Sequence, residues 1–490
     1  MTDPAPRRRS ASLRAACLGI VLISLVPLAV SLATKRQLYA LGGLTDNWIY
    51  LGAQLRVLGV FGDGEMPMAL RAPGYPLFVA GVFAAGMEPV AQVTDDYMAR
   101  GAQLVYAAQA LLLAASGLLL FLWLRAIVHP VTAFASGLLL ATSPYAVVVV
   151  GLVHYGVLHI FFLVAGGLAL HHLLASDRAS WRAALAVGLL WGVATLVRST
   201  SLILPAFAFG LFWLRWRDPG RALRTLAVFV AGMAVAIAPA TIRNYRLLHR
   251  VVPVNYQAGA VMWGSTVKPL PDDPDSYRWF AVSKELLQVF TRVTGHDSYD
   301  YSVFAKHYVE LEDAFSKEAR ANLRRDPRPY LVNALRSVKM LCLDTSSAFI
   351  RMFGFSQPPR PEVNAFWFRS DVPRDFLPQA PARNYVRLGA VLTALAGIGV
   401  LAAFVRRDTA ALVPIALFAS LVTAHALTLM DLMYHYVRLP FVAFLACYGL
   451  EALAGLAPPA LRAKARLAAG AAAAVLTAAS LLLTAQLLAA

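Results

Sequence analysis

Apolar residues recur along the chain in blocks near 20 residues long, the length that carries a helix across roughly 30 Å of hydrocarbon. Eleven blocks can be read, at 13–33, 102–124, 131–150, 157–175, 183–197, 201–215, 225–242, 385–404, 410–430, 438–456 and 467–488. Those at 183–197 and 201–215 are short and read as tilted or broken spans. Two longer stretches, 34–101 and 243–384, interrupt the series. Within the first, the apolar run 74–87 between Pro73 and Glu88 is too short to span and reads as re-entrant or interfacial. The pattern predicts an all-α polytopic membrane protein with about 11 transmembrane helices and two outer-side segments. It divides into an N-terminal transmembrane module, 1–242, a mostly helical segment, 243–384, and C-terminal transmembrane helices, 385–490.

Two further segments carry a helical period with one polar face. From Thr45, a plausible N-cap, Trp48, Leu51, Leu55 and Leu58 fall within about 80° of arc at 100° per residue. Asp46 points away from that face, which predicts an amphipathic helix lying on the outer leaflet. Over 330–353, Leu331, Val338, Leu341, Phe349 and Phe353 share one side, and Arg336, Lys339, Ser347 and Arg351 the other. A basic face along the membrane surface suits a lipid-phosphate ligand.

Composition agrees with the pattern. Of 490 residues, 59% are hydrophobic and 14% charged, far below the charge of a soluble domain, so a soluble enzyme, a disordered tail and a disulfide scaffold are excluded. The net charge of +17 would raise nucleic acid as a partner in a soluble chain, but here it sits largely at the ends of spans. With the N-terminus inside, the inner turns hold Arg125, Arg178 and Arg182, Arg215 to Arg224, Arg406 and Arg407, and Arg462 to Arg466. The short outer turns are poor in such residues, with Arg198 and Arg438 as exceptions. This is the positive-inside asymmetry; no nucleic-acid partner is implied. The three cysteines show no metal spacing.

Five local strings fall at the outer interface by this count: Thr45-Asp46-Asn47-Trp48-Ile49-Tyr50, Arg71-Ala72-Pro73-Gly74-Tyr75-Pro76, Arg198-Ser199-Thr200, Ile242-Arg243-Asn244-Tyr245-Arg246 and Tyr436-Val437-Arg438-Leu439-Pro440. One acid and several arginines at one membrane face are what transfer of a group off a lipid phosphate requires. The departing phosphate needs guanidinium partners, and an attacking hydroxyl must give its proton to a base such as a carboxylate. Plainer readings stand beside this one: Asp46 as a helix cap, Arg198, Arg243 and Arg438 as interfacial anchors, RAPGYP as a turn, and His154 and His159 as helix-packing residues.

The order of these strings resembles the GT-C membrane glycosyltransferases: an Asp-bearing first outer loop, RAPGYPLF, Arg-x-Thr-x-Leu-x-Leu-Pro, Pro-x-x-Ile-Arg-Asn-Tyr, then a late Tyr-x-Arg-Leu-Pro. The nearest branch is the bacterial relatives of protein O-mannosyltransferases and lipid A aminoarabinose transferases, matched over about 40–260 and 430–455. The resemblance implies a polyprenyl-phosphate-linked sugar donor, transfer outside the inner (plasma) membrane, and inversion at the anomeric carbon. By position, it makes Asp46 the catalytic aspartate and puts Arg71, Arg243 and Arg438 near the donor phosphate. Tyr50, Tyr75, Arg198, Asn244, Arg336, Lys339 and His435 are candidates to line the substrate site. The acceptor is a lipid, glycan or protein, and lipopolysaccharide, cell-envelope glycan or glycolipid modification is the expected setting.

Three departures from the family pattern bear on chemistry. Asn47 replaces a frequent second acid, Tyr155 and Gly156 stand where relatives often place Glu, and the late string holds Arg438 alone, with His435 nearby. No cofactor is implied with certainty; a divalent cation, Mg or Mn, is compatible with the family. The alternatives are a protein O-glycosyltransferase, of the same class, and a transporter or flippase of lipid-linked sugar. The latter would show charged residues mid-span and repeat symmetry, and neither is seen.

Overall fold

A computed structural model of the chain describes residues 6–33, 48–63, 66–151, 153–176, 180–267, 283–298, 301–343, 379–428 and 436–489. Eighteen α-helices are described there, together with a two-residue antiparallel ladder pairing Gly62–Asp63 with Met66–Pro67. The protein is an all-α polytopic membrane protein. Among the described residues, seven helices are long and apolar enough to cross a membrane: Asp95–Leu124, Gly156–Ala175, Pro219–Leu248, Asn384–Arg406, Thr409–Leu427, Tyr436–Ala454 and Pro459–Gln486. Each coincides with a block expected from hydropathy. Leu13–Val26, Gly74–Gly86, Pro130–Ala141 and Trp181–Val197 are apolar but shorter.

The N-terminal half runs α1 (Pro6–Ala33), α2 (Trp48–Leu58), α3 (Gly74–Gly86), α4 (Asp95–Leu124), α5 (Pro130–Ala141), α6 (Pro144–Val150), α7 (Gly156–Ala175), α8 (Trp181–Val197), α9 (Leu204–Trp216) and α10 (Pro219–Leu248). Proline decides where expected spans break. The block 131–150 is two helices because Pro144 disfavours helical backbone at Ser143; α5 stops at Thr142 and α6 begins anew. The block 201–215 likewise opens as a 3-10 turn, Ser199–Ile203, before α9 starts with Pro205 in its first turn. Helix α10 has 30 residues, about 45 Å of helix, so it overshoots the hydrocarbon and its Ile242–Arg246 end can stand clear. It crosses α8 at backbone contact, where a Cβ on Gly188 would lie 2.0 Å from the Phe229 carbonyl oxygen. Small residues let spans approach in this way where no hydrophobic drive exists between them.

The second outer segment holds α11 (Ala258–Thr266), α12 (Ser283–Thr294), α13 (Tyr301–Arg325) and α14 (Arg328–Cys342). The first three bury Trp263, Leu286, Phe290, Leu311 and Phe315 in a small core of their own. The chain ends with α15 (Gln379–Arg406), α16 (Thr409–Leu427), α17 (Leu439–Ala454) and α18 (Arg462–Ala489).

Two expected amphipathic faces turn out differently. Trp48 and Leu51 on α2 are buried, and the helix packs on α3 with Gly52 against Val79 and Pro76, so the N-terminal half of its apolar side meets protein, while Leu58 of the same side is 43% exposed. On α14 the buried side is Pro329, Asn333, Ser337 and Leu341. Leu331 and Val338, grouped with Leu341 by period, stay exposed at 57% and 37%. The reason is polar: Asn333 donates to the carbonyls of Ser265 and Val267 at the end of α11, 3.0 and 3.3 Å away, and so turns inward. Phe349, Phe353 and the rest of 344–378 lie outside the described residues.

Candidate functional site

Helix α3 brings the first outer segment against the transmembrane bundle. A Cβ on Gly74 would sit 2.7 Å from the backbone of Leu196 and Val197, so the RAPGYP turn touches the end of α8 main chain to main chain. Arg71 and Arg198 are thereby carried to neighbouring positions. Tyr75, fully buried, donates to Gln109 Oε1 at 2.8 Å, and Gln109 donates to the Val150 carbonyl at 2.8 Å, fixing α3, α4 and α6 together.

Around this junction lies an aromatic and cationic cluster. The Trp48 ring stands edge-on to Tyr75 at 5.9 Å and to Tyr155 at 5.3 Å. His154 lies 3.9 Å from the Tyr155 ring, and Tyr436 packs against His154, Tyr155 and His159 at 5.9–6.1 Å. The Arg71 guanidinium is 5.5 Å from the centre of the Trp48 ring, and that of Arg198 is 4.9 Å from the centre of Tyr155, whose hydroxyl accepts from its Nη1. His159 Nδ1 pairs with the Tyr436 hydroxyl at 3.2 Å. Trp48, His154, Tyr155, His159, Arg198 and Tyr436 are all buried. Burial pushes the His154 imidazole down to about 3, and Arg198 and Arg71 push the same way, so the ring is neutral.

A second network holds the segment carrying Arg71. Arg243 Nη2 donates to the carbonyls of Phe61 and Met68 at 2.7 and 2.8 Å, with its guanidinium over the Phe61 ring. The Tyr256 amide donates to the Ala69 carbonyl at 2.7 Å, the Ala69 amide to the Tyr308 hydroxyl at 3.2 Å, and Arg71 Nη1 to Gln257 Oε1 at 3.3 Å. Gln257 immediately precedes α11, in whose first turn the Gly259 and Ala260 amides donate to Glu312 Oε2 at 2.7 and 3.2 Å. Glu312 is buried, and desolvation raises its carboxyl to about 7 against the pull of those amides and of Arg71.

The expected site residues therefore separate. Arg71, Tyr75 and Arg198 come together in the cluster. Arg243 has carbonyl partners in the first segment, and Asn244 is buried, donating to Val252 and Val254 carbonyls. Arg438 faces the other side of its own turn from Tyr436: its Nη2 donates to Thr393 Oγ1 at 2.7 Å, and it lines an apolar crevice with Tyr385, Leu388 and Val442. Tyr50 is half-buried on α2; Arg336 and Lys339 lie on the half-exposed and exposed sides of α14. Asp46, Asn47 and His435 lie outside the described residues. Among the described residues no group of three or more His, Cys, Asp or Glu could hold a metal ion. Sequence reading did not select Trp48, His154, His159, Tyr436 or Glu312 as site residues. Trp48 and Tyr436 had a signal, since each lies within a string already singled out; the others had none.

Residues 98–242 match the family model described as dolichyl-phosphate-mannose-protein mannosyltransferase. No curated protein matches by sequence. Among solved structures, the apo oligosaccharyltransferase of Archaeoglobus fulgidus superposes with TM-score 0.53 at 14% identity, over 97% of this chain and 56% of that one. The same organism's AglB, in complex with an inhibitory peptide and a dolichol-phosphate, gives 0.53 at 13%, over 98% and 56%. ArnT from Cupriavidus metallidurans, bound to undecaprenyl phosphate, gives 0.40 at 14%, over 92% and 78%. The chain thus spans just over half the length of the archaeal enzyme. The chain shares the fold of that archaeal oligosaccharyltransferase, and residues 98–242 of it are similar to the mannosyltransferase family.

Proposed function

We propose that the protein is an inverting glycosyltransferase that moves a sugar from a polyprenyl-phosphate donor to an acceptor hydroxyl on the outer side of a bacterial inner membrane. The observation that supports this reading best is the meeting of Arg71 and Arg198 over the Trp48–Tyr155–Tyr436 cluster, at the junction of the first outer segment and the spans. Guanidinium groups beside aromatic rings suit a phosphate leaving group next to a sugar ring. The dolichol-phosphate in the AglB complex, on the same fold, is consistent with a lipid-phosphate ligand.

In the proposed step, the acceptor oxygen attacks the anomeric carbon from the face opposite the phosphate. The C–O bond to phosphate breaks, polyprenyl phosphate leaves with the bonding pair, and the acceptor's proton passes to the Asp46 carboxylate. Arg71 and Arg198 take the charge that develops on the phosphate. Arg243 keeps the first segment in place through the Phe61 and Met68 carbonyls. Arg438, in its apolar crevice, is suited to a lipid chain with an anionic head.

The test is transfer from a synthetic polyprenyl-phosphate sugar by purified protein, with glycolipids and glycoproteins of a deletion strain compared by mass spectrometry. Loss of one glycan species in the deletion strain identifies the acceptor. No difference in either fraction, together with no transfer in vitro, would refute the reading.

A further inference from the structure

Residues 255–257 run beside residues 69–71 and meet them at three points. Asn255 Nδ2 donates to the Leu70 carbonyl at 3.4 Å, the Tyr256 amide to the Ala69 carbonyl at 2.7 Å, and Arg71 Nη1 to Gln257 Oε1 at 3.3 Å. Only the last of these reaches the guanidinium. Gln257 stands at the start of α11, and its side chain makes no capping bond there. The first amides of a helix still need acceptors. Glu312 of α13 supplies one in place of a local cap: its Oε2 takes both the Gly259 and Ala260 amides, from a residue only 3% exposed. Capping from another helix leaves the Gln257 oxygen to Arg71. The approach depends on Gly259, where a Cβ would lie 2.3 Å from the Glu312 carbonyl oxygen and 2.8 Å from Oε2. Neighbours of Glu312 hold the same stretch of chain. Asp313 accepts from Arg250 Nη1 at 2.7 and 2.9 Å and from the Tyr256 hydroxyl, and Tyr308, one turn earlier on α13, accepts from the Ala69 amide at 3.2 Å. One helix thus grips both segments.

We infer that Glu312 is a positioning residue for Arg71: it seats the first turn of α11, that turn seats Gln257, and Gln257 holds the guanidinium. The inference rests on the proposed lipid-phosphate reading and adds to that site a residue of the second outer segment. Glu312 acts on main chain and has no contact with the phosphate in the proposed step. Its influence passes through Gln257 alone. An arginine side chain has many rotamers, and ordering one on binding costs about 0.5–1.5 kcal/mol. Holding Arg71 in place beforehand removes part of that cost, so the phosphate binds more tightly to a guanidinium already oriented. The carboxylate is suited to this because one oxygen can accept from two amides at once, which fixes the direction as well as the distance of the turn. The predicted consequence is thermodynamic coupling between Glu312, Gln257 and Arg71, residues on three separate stretches of the chain.

The experiment is a double-mutant cycle on the full chain in lipid nanodiscs, read as affinity for a bare short-chain prenyl phosphate. Glu312→Asp keeps the charge and draws the carboxylate back from α11 by one methylene. Gln257→Ala removes the link to Arg71 at a half-buried position and leaves the α11 amides paired with Glu312, so it tests the chain of contacts even where a change at Glu312 impairs folding. Each should weaken the phosphate about fivefold, the worth of roughly one hydrogen bond. Glu312→Gln, which retains an acceptor oxygen for the two amides, should bind within about twofold of wild type. In an Arg71→Ala background neither Glu312→Asp nor Gln257→Ala should cause any further loss, whereas a residue that merely supports the fold would weaken binding there as much as in wild type. Wild-type affinity in Gln257→Ala, or losses undiminished in the Arg71→Ala background, overturn the inference while the lipid-phosphate reading stands. Glu312→Gln binding as weakly as Glu312→Asp also overturns it, since charge and not position would then be the cause. A wild-type protein that binds no prenyl phosphate overturns both.

Discussion

Asp46 and the arginines make separable claims at the scale of single residues. Asp46→Asn keeps size and removes basicity, so donor binding should hold while turnover falls by about two to four orders of magnitude, the range for loss of a general base. Asp63→Asn and Glu65→Gln serve as controls and should keep activity. A variant at Asp46 retaining a third of the wild-type rate would place the base elsewhere. Arg71→Ala and Arg198→Ala each remove a charge-assisted contact worth about 1.5–3 kcal/mol, so donor affinity or turnover should drop roughly ten- to a hundredfold. Arg243→Ala is expected to differ in kind. Its guanidinium joins Phe61 and Met68 carbonyls to α10, so thermal stability should fall together with activity. Measuring melting and donor affinity on the same preparations separates the two outcomes.

Helices and their junctions carry the next set of expectations. Gly74→Ala drives a Cβ to 2.7 Å from the carbonyl of Leu196, and backbone has no rotamer with which to yield. The α3–α8 contact should open, lowering stability by about 1–3 kcal/mol and moving Arg71 from Arg198. Detergent-solubilised melting and donor binding would read both. At the outer segment, Glu312 has its acid form favoured in the fold, with the midpoint raised from 4.5 to about 7. Its contribution to stability is therefore full below the unfolded midpoint and is lost as pH rises through about 7. The loss amounts to about 3 kcal/mol over that window. The melting temperature should accordingly fall between pH 5 and pH 8, and Glu312→Gln should flatten that slope. A wild-type profile no steeper than the variant's would show that Glu312 does not govern it.

Across the whole molecule, the hydropathy blocks and inner arginines predict both outer segments on one side. Reporter fusions after residues 60 and 300 should score outside the cell membrane and one after residue 220 inside. The structure links the two segments to each other through Arg243, Tyr256, Tyr308 and Arg71, which requires them to share a side. A fusion at 300 that scored cytoplasmic would undo the site, because Arg71 and Gln257 could no longer meet.

Period and length alone were enough for the seven long spans, since a membrane demands about 20 apolar residues and accepts little else. The proline break at 144 was also written in the chain, although the block count passed over it, while the one at 205 falls in a block already read as tilted or broken. The strings around Arg71 and Arg198 were legible as chemistry because a departing lipid phosphate needs guanidinium partners and both strings fall at one membrane face. What one dimension could not settle was which partner. Arg243 and Arg71 look alike in sequence; tertiary packing gave the first two backbone carbonyls and set the second over Trp48. The same holds for faces. Helical period grouped Leu331, Val338 and Leu341, yet the need of Asn333 for the free carbonyls of α11 rotated α14 and buried another side. His154 shows the limit most plainly. An isolated histidine carries no spacing signal, and its burial, its tautomer and its place beside Tyr155 come from contacts between helices far apart in the chain. Local period is a property of neighbours in sequence, whereas a buried polar group finds its partner wherever the fold supplies one.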